Sequence, residues 1–132
     1  MRKELIQAFP STTLAELSDD YIESHPDLMW DIPEIPLIRA VPLYMLWCIK
    51  HPTKECELVF DNTISALNKY ARAKSPDNAS QDFKFVCSQE QINAVINFLN
   101  WCKTSLVFDF EPTLSRAIKN WQAVNQTHQR TP

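Results

Sequence analysis

Cysteine and histidine are the residues of this chain best suited to binding a metal or to acting as nucleophile and base, and it has four cysteines and three histidines. The closest grouping is Cys48, His51 and Cys56, and thiolate and imidazole groups are ligands of zinc. Pro52 divides this grouping between two predicted helices, and no second close pair of ligands accompanies it. We therefore expect no metal and no cofactor, with zinc binding as the alternative.

The four cysteines stand beside large apolar residues or on apolar helical faces, where a thiol packs as a small hydrophobic group. We predict four free thiols, with a disulfide as the alternative. The N-terminus shows no apolar stretch followed by a cleavage site, and the longest apolar run, Val41 to Ile49, is too short to cross a bilayer. These features predict a cytoplasmic protein that does not bind membranes.

The absence of glycine restricts the chemistry further. P-loops, dinucleotide-binding turns and nucleophile elbows need glycine, because their backbone approaches a ligand closely or turns too tightly for a Cβ atom. His25, His51 and His128 are scattered, and none lies in a local pattern with a nucleophile. A catalytic set assembled from distant residues stays open. A small enzyme with a site between helices is therefore an alternative function.

Carboxylates are concentrated in the first third of the chain. The range 4–38 contains no Lys or Arg, while the range 39–132 has 11 basic residues against 8 acidic ones. The twelve-residue calcium loop with its central glycine is absent, so we expect no calcium site. Such a segment repels nucleic acid and attracts a basic protein. The acidic residues of this range are Glu4, Glu16, Asp19, Asp20, Glu23, Asp27, Asp31 and Glu34.

Trp30 lies among these acids and three prolines, a mixture typical of a rigid aromatic anchor with a polar rim at a protein interface. We predict a non-enzymatic protein-binding module with an acidic recognition face, as in an immunity protein or antitoxin that blocks a basic effector. A solvated acidic loop with Trp30 packed onto its own helices, and a self-associating structural protein, are the alternatives. The predicted partner-binding residues are Asp19, Asp20, Glu23, Asp27, Trp30, Asp31 and Glu34.

The acidic face is predicted to lie on a single compact all-α domain of about five helices, which spans residues 1–132. Ser88 and Gln91 have the spacing of a capping box, and the apolar periodicity behind them predicts the central helix. Leu5, Ile6 and Phe9 mark a short first helix ended by Pro10. The four helices predicted to form the core span 42–50, 54–73, 89–105 and 112–125.

The connections are predicted from proline, polar residues and lost periodicity. We expect a long acidic proline-containing loop over 19–36, a loop over 75–82 and a frayed tail over 126–132. Pro42 is expected to begin a helix, after a short helical turn, because proline clashes with the preceding turn. The ranges 83–86 (FKFV) and 107–110 (VFDF) are predicted to be short extended pieces that pair with each other.

Three segments carry a resemblance: Arg39 to Trp47 (RAVPLYMLW), Phe85 to Cys102 with the core SQEQINAVINFL, and Asp109 to Trp121. They are similar to a family of small bacterial helical proteins without an assigned function. The resemblance covers roughly the last two thirds of the chain. It implies a helical fold and a bacterial setting, and it carries over no functional residues.

Overall fold

The computed structural model describes residues 1–10, 17–28, 35–52, 57–74 and 82–130, and the regular structure within these ranges is entirely α-helical. The prediction of an all-α fold is confirmed. Seven helices occur in the described ranges, two more than expected. They are α1 (Arg2–Ala8), α2 (Asp19–Ser24), α3 (Leu37–Lys50), α4 (Glu57–Ala71), α5 (Phe83–Val86), α6 (Gln89–Ser105) and α7 (Thr113–Arg130).

Side-chain caps fix the start of two helices. The Ser88 hydroxyl accepts from the Gln91 amide at 3.2 Å, and the Gln91 side chain accepts from the Ser88 amide at 2.8 Å, which completes the predicted capping box of α6. Ser18 caps α2 in the simpler way, by accepting from the Tyr21 amide at 3.0 Å. Each bond satisfies an amide that the first helical turn leaves without a partner.

The helix ends within the described ranges lack the left-handed residue that glycine usually supplies. No described residue has a positive φ angle. Phe9, His25 and His51, which follow α1, α2 and α3, have φ angles of −119°, −128° and −127°. Their amides still donate to the preceding turn, for example from His51 to the Trp47 carbonyl at 3.0 Å. The chain therefore leaves each of these helices through an ordinary negative-φ conformation that any residue can adopt.

The most deeply buried helix of the described ranges is α3, whereas the sequence predicted α6 to be the central helix. Ten of its 14 residues are buried, against six of 17 in α6. Helix α3 also runs continuously through Pro42, so the predicted helix start at this proline is wrong. Proline inside a helix costs about 3 kcal/mol, because it removes one hydrogen bond and clashes with the carbonyl four residues earlier. Burial of the apolar side chains around Pro42 offsets that local cost.

Helix α7 packs on both α4 and α6. The indole Nε1 of the fully buried Trp121 donates to the Leu67 carbonyl of α4 at 2.8 Å, and the Asn120 amide donates to the Asn68 side chain at 2.8 Å. On the other side Gln89 of α6 donates to Asn125. These polar contacts fix the position of α7 along its two neighbours in addition to the apolar packing.

Gln89 also holds the last turns of α7 onto the start of α6. Its Oε1 accepts a hydrogen bond from the Nδ1 of His128 at 2.8 Å. Helix α7 continues to Arg130, five residues beyond the end predicted from periodicity. The end of α7 is held by hydrogen bonds with Gln89 of α6. The polar sequence after residue 125 does not reveal contacts with another helix.

Two further differences concern short segments. The predicted loop over 19–36 contains α2, because Ser18 caps a helix that buries Ile22; residues 29–34 of this loop lie outside the described ranges. The predicted extended pair is wrong, since 83–86 is the helical turn α5 and 107–110 is irregular. Alternating apolar residues over only four positions do not distinguish a strand from a helical turn.

Phe83 joins four elements of the fold. Its ring is fully buried and lies 6.2 Å from Phe9 after α1, 5.9 Å from Tyr70 of α4 and 5.9 Å from Trp121 of α7, measured between ring centroids. Aromatic pairs at these separations contribute about 0.5–1.5 kcal/mol each beyond the burial of their area. One side chain of the four-residue helix α5 thus anchors it to three neighbours.

We expect Phe83→Ala to lower the free energy of unfolding by about 3–5 kcal/mol, because it leaves a cavity at this junction. Chemical denaturation followed by circular dichroism measures the change. Val86→Ala is the matched control on the same helix, since Val86 is 52% exposed and should cost under about 0.5 kcal/mol. Equal effects of the two substitutions would show that α5 does not depend on Phe83.

Candidate functional site

The predicted acidic face is only partly within the described residues. Asp19, Asp20 and Glu23 lie on α2, and Asp27 follows the end of that helix. Asp20 is exposed, while the other three are half-buried. The remaining predicted residues, Trp30, Asp31 and Glu34, lie outside the described ranges, and their roles stay predictions.

Asp19 bonds to its own chain. Its Oδ2 accepts from the Lys50 ammonium at 2.9 Å and from the Nε2 of His51 at 3.0 Å, so the end of α3 is tied to the start of α2. The hydrogen bond from Lys50, followed by that from His51, lowers the pKa of the Asp19 carboxyl. The phenol of Tyr44 adds a second link between the helices by donating to the His25 carbonyl at 2.6 Å. Asp19 therefore positions α2.

The lowered pKa of Asp19 gives a prediction for stability against pH. Because the folded protein holds this carboxyl ionised more strongly than the unfolded chain does, the stabilisation is present at neutral pH and is lost as the pH falls through the folded pKa. We expect Asp19→Asn to lower the free energy of unfolding by up to about 1 kcal/mol at pH 7, since the pair is solvent-exposed. The difference from wild type should shrink as the pH falls below the usual pKa of aspartate, and it should vanish once the pH is below the lowered folded pKa.

Asp20→Asn is the control for this experiment. It removes the same charge from the same helical turn, where acidic side chains interact favourably with the helix dipole, but it breaks no ion pair among the described residues. The pairing energy is the amount by which the loss in the free energy of unfolding caused by Asp19→Asn exceeds the loss caused by Asp20→Asn. Unfolding curves recorded from pH 7 down to pH 3 measure it, and identical curves for the two variants would contradict a role for Asp19 in pairing.

The thiols are placed for packing. Cys48, Cys87 and Cys102 are free and buried, as predicted, while Cys56 lies outside the described ranges. Burial raises the pKa of all three thiols above the ordinary value. A thiol is nucleophilic and metal-binding only as the thiolate, so these groups are inert in the folded protein. No group of three or more potential metal ligands occurs among the residues that the structure describes.

We expect at most one thiol of the folded protein to react rapidly with a thiol-specific reagent such as DTNB, because Cys48, Cys87 and Cys102 are buried. After unfolding without a reductant, all four should react. A spectrophotometric count over time distinguishes the two states. A count of two in the unfolded protein would reveal a disulfide, and rapid labelling of several thiols in the folded protein would contradict their burial.

Histidine is paired with acid at one place in the described structure, between His51 and Asp19. The cavity beside this pair is small, about 120 Å³, and none of the described residues that line it is a serine, threonine or cysteine. A His–carboxylate pair activates a nucleophile only when a hydroxyl or thiol lies within hydrogen-bond reach of the imidazole. His25 donates from Nδ1 to the Tyr21 carbonyl at 2.9 Å, and His128 is bound to Gln89. The described histidines therefore act in hydrogen bonding between and within helices.

A groove of about 710 Å³, which we call the α4–α7 groove, is lined by residues of α4, α5 and α7. Helix α5 borders it beside α4 and α7. Lys84 of α5 donates to the Ala71 carbonyl at 3.1 Å, so it caps the end of α4, and its ammonium lies 5.0 Å from the centroid of the Phe85 ring. Burial lowers the pKa of Lys84. The apolar side chains that line the groove are Ala71, Phe85, Ala123 and Val124.

Cationic side chains surround this groove. Arg72 lines it and two adjoining cavities of about 380 and 450 Å³, which also contain Asn68. No carboxylate lines any of these three cavities within the described residues. We call the cations of this surface the basic face. They are Lys69, Arg72, Lys74, Lys84, Arg116 and Lys119.

The basic face was not predicted, although part of its signal is visible in the sequence. Lys69 lies in the last turn of α4 and Arg72 directly follows its end, while Arg116 and Lys119 are three residues apart on α7 and share one side of that helix. Joining the two pairs into one surface requires the packing of α4 against α7, which the structure supplies. Overall charge hides the feature, because the chain as a whole is acidic.

Comparison with known proteins adds no family to this description. No protein-family model, no curated protein and no solved structure matches the chain. The similarity to small bacterial helical proteins therefore stays a prediction. Among the described helices, none combines the length and apolar character that a membrane-spanning segment needs.

Proposed function

We propose that this protein is a non-enzymatic binding module that recognises a basic protein through the acidic segment around α2, as an immunity protein or antitoxin against a basic effector does. One observation supports this most directly. Asp19 forms an ion pair with Lys50 and a hydrogen bond with His51, whereas Asp20, next in sequence, is exposed and has no ion pair among the described residues. The Asp19 carboxylate thus bonds to other residues of the fold, while the Asp20 carboxylate is exposed to solvent.

Geometry adds support from the other carboxylates. Glu23 lies one helical turn after Asp20, and side chains at this spacing share one side of a helix. Asp27 follows in the next stretch of chain. The opposite side of α2 carries Ile22, which is 2% exposed and faces the core. An acidic stripe on a helix anchored by its apolar side can steer a basic partner into contact without reorganising the fold.

The proposed recognition is tested by removing charge from this stripe. We expect the variant Asp20→Asn, Glu23→Gln, Asp27→Asn to bind a basic partner with an association rate lower by on the order of tenfold at low salt, because complementary charge acts mainly on encounter. The difference should shrink at physiological salt, where exposed charges are screened over about 8 Å. The protein encoded by the neighbouring gene is the first partner to assay, by surface plasmon resonance and by loss of its activity.

A matched control removes three exposed carboxylates elsewhere, with Asp61→Asn, Glu90→Gln and Glu111→Gln. Both variants have the same net charge, so equal slowing by the two would show that only total charge matters and would contradict a recognition face. Circular dichroism confirms that each variant is folded. Failure of the neighbouring gene product to bind would contradict the immunity-type function.

The variant Trp30→Ala tests the contribution of the proposed aromatic anchor separately from that of the acidic residues. A buried aromatic holds a complex after encounter, so we expect a faster dissociation rate, a loss of about 2 kcal/mol or more in binding and little dependence on salt. An unchanged dissociation rate would exclude Trp30 as the anchor and leave the acidic residues as steering charges.

A further inference from the structure

The α4–α7 groove combines an apolar lining with cations, and the proposed function does not use it. Ala71 is buried beneath it and Val124 is half-buried, while Phe85 is 41% exposed, a high value for a large aromatic side chain. An exposed aromatic beside a concave apolar surface is typical of interaction sites. Helices α4, α5 and α7 hold this surface in place, through the bond from Lys84 to Ala71 and the packing of α7 on α4.

The charged side chains among the described residues that line the groove are all basic. Arg72 and Lys84 line it, Arg116 and Lys119 line the adjoining cavity that shares Arg72 and Asn120, and no described carboxylate lines either. Like charges gathered on one surface repel each other, so this arrangement raises the energy of the isolated protein and favours an anionic ligand.

We infer that the α4–α7 groove is a docking site for an acidic segment of another protein that also carries apolar side chains. The carboxylates of that segment pair with Arg72, Lys84 and Lys119, and its apolar side chains contact Phe85 and Val124. Arginine contributes most to such recognition, because its planar guanidinium binds a carboxylate through two parallel hydrogen bonds.

The apolar lining favours a protein segment over nucleic acid. Phosphate backbones bind to cations but gain nothing from contact with alanine and valine, and single-stranded bases bind chiefly by stacking on successive aromatic rings. The groove offers one exposed aromatic ring, Phe85, whose centroid already lies 5.0 Å from the Lys84 ammonium. An acidic peptide with leucine or phenylalanine side chains matches both the charge and the apolar lining.

Fluorescence polarisation with four labelled probes tests which class of ligand the groove binds. The first is a short peptide in which glutamates alternate with pairs of leucines; the second replaces the leucines by serine, and the third replaces the glutamates by lysine. The fourth is a single-stranded oligonucleotide with the charge of the first peptide. We expect the first probe to bind at least about tenfold more tightly than each of the others, because only it satisfies both charge and apolar contact.

Two matched pairs of variants locate the binding. Ala123→Glu places a carboxylate in the groove, whereas Gln122→Glu adds the same charge one residue earlier, outside the lining. Arg72→Glu reverses a cation of the groove, and Lys103→Glu reverses an exposed cation of α6 outside the basic face. We expect the first member of each pair to weaken binding of the first peptide by about tenfold or more, and the second by less than about twofold.

Several outcomes would overturn the inference. Absence of binding by the first peptide, or equal effects within each pair of variants, excludes this groove as the site. An oligonucleotide that binds as tightly as the first peptide assigns the basic face to nucleic acid. If the serine peptide binds as tightly as the first peptide, the groove recognises charge alone and the proposed apolar contact is excluded. Self-association in analytical ultracentrifugation that Ala123→Glu abolishes assigns the groove to a second copy of this chain.

Discussion

Burial of the Phe83 ring is the contact on which the placement of α5, and of the surface that α5 forms, depends. Helix α5 has four residues, too few to be stable by its own hydrogen bonds. It is held because Phe83 fills the space between Phe9, Tyr70 and Trp121, which belong to three different parts of the chain. The neighbours of Phe83 in sequence, Lys84 and Phe85, are thereby placed at the surface. An aromatic contact in the core thus determines the charge and shape of a groove outside it.

The sequence predicted those helices whose signals are local. The bounds of α6 match the prediction of 89–105 because Ser88 and Gln91 form a complete cap, and α7 begins within a residue of its predicted start. Local rules failed where tertiary contacts outweigh them. Pro42 lies inside a helix because neighbouring side chains are buried, and Phe83 makes a helical turn because its ring has a place in the core.

The candidate site shows the same division. The run of acidic residues before Arg39 is visible in the sequence, but the sequence does not say that Asp19 pairs with Lys50 and His51, which lie about thirty residues later. That pairing separates a carboxylate that positions α2 from Asp20, which remains exposed. The basic face was not predicted for a related reason, since its cations come from the end of α4 and the residues after it, from α5 and from α7, and become one surface only when these helices pack.

Helix ends such as Phe9, His25 and His51 have a consequence for how this sequence can change over time. In many proteins a glycine with a positive φ angle cannot be replaced, and such positions persist when the rest of a sequence has diverged. The described part of this chain has no such position, so no residue in it must be glycine for the sake of the backbone. Selection there acts instead on side-chain volume, burial, charge and hydrogen bonding. Relatives could therefore drift far in sequence while keeping the same helices, and they would share no invariant turn residues by which to be aligned.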